Sequence, residues 1–86
     1  MKPRKLLKRL SEGAFNNVSF NDMIYLVEGF GFKLSRVAGS HHIFYHPDIG
    51  ELLNLQEVKG EAKPYQIRQF LKLAERYNLR LEDQDE

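Results

Sequence analysis

Eighty-six residues with 42% hydrophobic content and no cysteine describe one small domain, 1–86, with a modest core, and they exclude a disulfide framework and any thiolate metal site. The formal net charge is only +1, but it is unevenly spread: Lys2, Arg4, Lys5, Lys8 and Arg9 crowd the start, while Glu82, Asp83, Asp85 and Glu86 crowd the end. The apolar stretches fall far short of a membrane span, and charges interrupt the leucines of "MKPRKLLKRL", so a soluble, cytoplasmic chain with no membrane partner is expected.

Residues 3 to 12 predict a short helix with Leu6, Leu7 and Leu10 on one side and Gly13 as its terminator. Residues 1–15 are thus read as a basic helical extension, suited to a phosphate backbone or simply to a solvated face. After the loop "AFNNV", Ser19 begins a second helix, with Asp22 three residues on in a capping-box arrangement. Phe20, Met23, Ile24 and Val27 follow the helical period, and Gly31 is the favoured left-handed terminator.

From Phe32 the period changes to two. "FKLSRV" alternates like a half-buried strand, Ala38-Gly39 reads as a turn, and "SHHIFYH" is rich in β-formers. "PDIG" is a second turn, "ELLNLQ" a third short strand and "VKGEAK" a loop. Pro64 suits a first helical position, and Ile67, Phe70, Leu71, Ala74 and Tyr77 form an amphipathic stripe ending near Asn78. Residues 80–86 read as an acidic, frayed tail. The order is α, α, β, β, β, α: an α+β fold whose three-stranded antiparallel sheet is packed against helices.

All three histidines fall within "SHHIFYH". A two-residue loop at Ala38-Gly39 would set Arg36 opposite His41 and Leu34 opposite Ile43. On that register Phe32, Leu34, Ile43 and Tyr45 share the helix-covered face, with Arg36 and His41 at its turn end; His42 points the other way. His41 and His42 therefore diverge, and His42 and His46 are too far apart along a strand to chelate one ion. With no HExxH helix either, no metal site is expected. A histidine at the strand end can serve in proton transfer, with an arginine to hold a phosphate. It can equally cap the strand or satisfy a turn amide. A four-residue turn at "PDIG" pairs Phe44 with Leu53 on the face opposite the main core, to be covered by the N-terminal helix or by a partner.

"GFKLSRVAGSHHIFYHP" resembles the signature of HicA-type toxins, the mRNA interferases of type II toxin–antitoxin modules. The matching elements are Gly31-Phe32, Arg36 and Gly39-Ser40-His41, within a core spanning 19–79. The resemblance implies a double-stranded-RNA-binding-domain-like α-β-β-β-α fold, here with an extra N-terminal helix. It also implies a metal-independent endoribonuclease without cofactor, acting on mRNA, and a HicB-type antitoxin as partner, for which part of the Phe44–Leu53 face is one candidate contact. By the same resemblance His41 is the catalytic histidine and Gly39 the structural turn. One departure stands out: Val58 sits about where many relatives carry a second histidine.

Arg36, Lys33, Ser40, Lys59 and Lys63 are the expected RNA-binding residues, to be weighed against ordinary surface roles. Two other readings fit the same shape: a non-catalytic RNA-binding domain, and a protein-interaction module built on an apolar sheet face.

Overall fold

The computed structural model describes residues 1–82. Three helices, α1 (Pro3–Ser11), α2 (Phe20–Gly29) and α3 (Pro64–Arg76), pack on a four-stranded antiparallel sheet in the order β1-β2-β3-β4. The strands are β1 (Lys33–Ala38), β2 (His41–Tyr45), β3 (Leu52–Val58) and β4 (Glu61–Ala62). The α+β class and the helix positions agree with the sequence; the strand count does not. Lys59 and Gly60, at φ 53° and 79°, make a tight turn with two positive φ angles, and β4 returns along Glu57 and Val58 where a loop was expected.

Local chemistry explains the helix ends. The Ser19 hydroxyl accepts the Asp22 amide at 3.4 Å, capping α2. At the other end the Gly31 amide donates to Glu28 and the Phe32 amide to Val27, at 3.0 and 3.1 Å, a Schellman ending that needs the left-handed φ of +98° at Gly31. Pro64 opens α3 at its first position. Asn78, at φ 55°, closes it with the same paired bonds, Asn78 to Glu75 and Leu79 to Ala74.

The first hairpin turns at Gly39-Ser40 rather than Ala38-Gly39, so Ala38 pairs with His41, Val37 with His42 and Arg36 with Ile43. Gly39 has φ +61° and Ser40 does not share it, the pattern of a glycine-led hairpin turn. A bulge between Leu34 and Arg36 then shifts the register by one, and Leu34 pairs with Phe44. Arg36, His41, Ile43 and Tyr45 do share a face, as expected, but the bulge removes Leu34 from it.

The helices cover the opposite face. Phe44, Leu53 and Leu55 are fully buried with Leu6, Leu10, Val18, Met23, Ile67 and Phe70 in one core, whereas Leu34, Tyr45 and Leu52 are exposed. Phe44 does pair with Leu53, yet this pair belongs to the main core under the chain's own helices and offers nothing to a partner. The polarity is decided in β3, where Leu53 and Leu55 alternate with Asn54 and Gln56. β1 is exposed along all six residues, an edge strand that the helical layer does not reach.

Of the segment 80–86, Leu81 packs against the core and the Glu82 amide donates to the Gly29 carbonyl at 2.7 Å, tying the chain to α2; Asp83–Glu86 lie outside the described residues. Among the described residues no helix is long and apolar enough to cross a membrane.

Candidate active site

The three histidines occupy three environments. His46, 5% exposed, sits edge-on to Phe32 beneath the sheet. Its Nε2–H donates to the Phe30 carbonyl at 3.0 Å, and its Nδ1 accepts the Asp48 amide at 3.2 Å. Both nitrogens are consumed in joining the end of α2 to the turn after β2, a structural role. His42 points to the helices, 4.8 Å from the Phe20 ring centroid, with its Nδ1 buried and unpartnered.

His41 alone lies on the uncovered face, half-buried at the start of β2. Its Nδ1 is 3.1 Å from Asn54 Oδ1. An amide oxygen only accepts, so Nδ1 is the donor, and in the neutral ring Nε2 is the nitrogen that keeps its lone pair. Asn54 reaches the ring because it stands opposite Ile43 on β3, one diagonal step from His41. The neighbouring Gln56 pairs directly with His41, and its Nε2 donates to Ser40 Oγ at 3.3 Å. The Ser40 carbonyl accepts the Glu57 amide at 2.9 Å. Turn, imidazole and β3 are thereby fixed as one unit.

The other expected site residues divide into two groups. Arg36 pairs with Ile43, which puts its guanidinium on the same face as His41, diagonally across β2 rather than directly opposite. Lys59 occupies the β3–β4 turn, at the same end of the sheet as Gly39 and Ser40. Lys63 caps α3 just beyond β4. Lys33 is not brought to this end: it pairs with Tyr45, four residues along β2, roughly 13 Å from His41 at strand spacing. It lines instead a cavity of about 420 Å³ with Glu28, His46, Asp48, Arg80 and Glu82.

Asn54 and Gln56 are the site residues that sequence reasoning missed. The signal was present in "LLNLQ", where two amides alternate with two buried leucines and must share the face opposite them. Among the described residues, no group of three or more histidine, aspartate or glutamate side chains is placed to hold a metal ion. Val58, the position of the expected second histidine, is 40% exposed near the end of β3 and offers no proton carrier.

Comparison with known proteins gives one result. A family model described as "HicA toxin of bacterial toxin-antitoxin" matches residues 20–75, from the first residue of α2 to the last turn of α3. No curated protein and no solved structure matches the chain.

Proposed function

The chain belongs to the HicA toxin family of bacterial toxin–antitoxin systems, and from that premise we propose that it is an mRNA interferase, a metal-independent endoribonuclease in which His41 moves the proton. The observation that carries this reading is the His41–Asn54 contact on the uncovered face, which engages Nδ1 and makes Nε2 the basic nitrogen of the neutral ring. Nε2 takes the proton of a ribose 2′-hydroxyl as that oxygen attacks the adjacent phosphorus. The bond from phosphorus to the 5′-oxygen breaks, and the leaving oxygen recovers the proton from the imidazolium. The products are a 2′,3′-cyclic phosphate and a 5′-hydroxyl.

One imidazole serves both transfers, since Val58 supplies no partner. The nucleophile belongs to the RNA, so neither a metal nor a cofactor is required and DNA is spared. Arg36 holds the non-bridging oxygens and stabilises the charge that develops on them. Gly39 makes the turn, Ser40 is set beside it by Gln56, and Lys59 and Lys63 attract the flanking backbone. Lys33 contacts RNA only where the strand runs on across the sheet. A HicB-type antitoxin restrains the enzyme, and the cytoplasm is its place of action.

The test compares wild type with His41→Ala and Asn54→Ala on RNA in the presence of chelator. His41→Ala loses about 10²–10⁴-fold in rate and no longer arrests growth, while its circular dichroism and antitoxin binding stay unchanged. Asn54→Ala lowers kcat with KM little altered, because it frees the ring without removing it. RNA left intact by the folded wild-type protein would end this reading.

A further inference from the structure

Residues 1–19 carry five cations and one carboxylate, whereas the family-matched span 20–75 carries six cations and seven carboxylates. The part of the chain that holds His41 is therefore slightly acidic, and a polyanion gains little from it at long range. The positive charge resides in α1, outside the match. Leu6 and Leu10 of this helix are 1% exposed, with Leu7 packed beside them on the core. By helical spacing Arg4, Lys5, Lys8 and Arg9 fall on the half turned away from the leucines, and Lys2 is the residue that precedes the first turn.

This arrangement works against the helix itself. Arg4 and Lys5 stand in the first turn, where the macrodipole disfavours cations, and Lys8 and Arg9 repeat the like charge one turn on. Glu12, the one carboxylate of residues 1–19, lies past the last turn, and Asp22 pairs with the N-terminal ammonium at 3.1 Å. The charge continues beyond α1. Arg9 donates to the Asn16 carbonyl, neighbouring Phe15 has the Arg68 guanidinium 5.3 Å from its ring centroid, and Lys72 follows Arg68 by one turn of α3. An interfacial helix enters a bilayer by its apolar side, and here that side is buried in the core. What faces outward is charge alone, which suits a phosphate backbone.

We propose that α1 is an RNA anchor remote from the cleavage centre: the extension supplies affinity for RNA phosphates, and the matched core supplies the chemistry. The inference rests on the endoribonuclease reading and adds a second surface to it. α1 lies in the helical layer and His41 on the opposite face of a molecule 24 Å across at its thinnest. A trinucleotide covers about 10 Å of stacked strand and reaches one of the two, whereas a long transcript passes round the sheet and engages both.

The experiment replaces Lys2, Lys5 and Lys8, all exposed, by glutamine, a comparable helix former. Binding is measured without cleavage, on a fluorescent 2′-O-methyl RNA of about 30 nucleotides, or roughly 100 Å of stacked strand. The glutamine variant binds about tenfold or more weakly than wild type, and its slope of log affinity against log salt is lower by about 2. Lys→Arg at the same three positions binds like wild type. On a cleavable trinucleotide the glutamine variant keeps the wild-type kcat/KM. The proposal is overturned if the glutamine variant retains wild-type affinity and salt slope, if the Lys→Arg variant falls as far, or if the trinucleotide suffers as much as the long RNA. Phosphatidylserine vesicles that hold the wild type more tightly than the long RNA does would also overturn it, in favour of a membrane surface. A wild type that binds long RNA through these lysines and cuts nothing would sink the nuclease and leave the anchor standing.

Discussion

His41 and His46 have their protons placed in opposite senses by their neighbours. Asn54 puts the proton of His41 on Nδ1; the Phe30 carbonyl puts that of His46 on Nε2. The neutral His41 ring keeps the lone pair of Nε2, and His46 has none to spare because its Nδ1 accepts the Asp48 amide. Gly31 lies against the second: a Cβ there would meet His46 Nε2 at 2.7 Å, and φ is +98°. Gly31→Ala must therefore accept left-handed strain and displace a buried, doubly bonded ring. It should cost about 2 kcal/mol or more of stability, read from urea unfolding. Tyr77 offers a pH probe. Its hydroxyl donates to the Glu51 carboxylate, which raises the phenol's pKa above its ordinary 10.0. Because the folded value is raised, this contribution is complete below the ordinary value and is lost as pH climbs through the folded one. Of the four tyrosines, one should ionise late in an ultraviolet titration, and Tyr77→Phe should abolish that late step.

At the scale of elements, α1 carries more than its place outside the family match suggests. The matched span begins at residue 20, yet Leu6 and Leu10 are 1% exposed and complete the core against α2. Leu6→Ala should lose 2–5 kcal/mol by cavity formation. That is a large part of the roughly 5–15 kcal/mol available to a small domain, and thermal unfolding measures it directly. The three helices were legible in the sequence because their signals are local: Ser19 and Pro64 at the starts, Gly13, Gly31 and Asn78 at the ends. β4 was not, because two residues carry no periodicity and the tight turn needs positive φ at Lys59 as well as at Gly60, which a lysine does not announce. The hairpin register was misjudged by two at the turn, which preserves which side chains share a face. This is why Arg36 and His41 were grouped together despite the wrong loop. The bulge was invisible, since nothing in "KLSRV" distinguishes an extra residue from a regular one.

At the scale of the whole molecule, measuring 30 × 27 × 24 Å, all three helices lie on one side of the sheet and His41 on the other. The sequence reading puts the face of Ile43 and Tyr45 under the helices, and the structure reverses it: these residues are as apolar as Phe44, so β2 alone cannot decide. The choice falls to β3, where Leu53 and Leu55 leave no alternative, and it moves the candidate site from the margin of the core to open solvent. The cost of this two-layer plan falls on β1, which has one hydrogen-bonded neighbour and no cover. A long, regular outer strand of that kind would invite sheet-to-sheet stacking between molecules. The irregularity between Leu34 and Arg36 twists the strand and interrupts its outward row of amides and carbonyls, with Lys33 and Arg36 adding like charge on either side of the break. The feature that spoiled the register forecast is thus also a guard against self-association at the high local concentrations of synthesis.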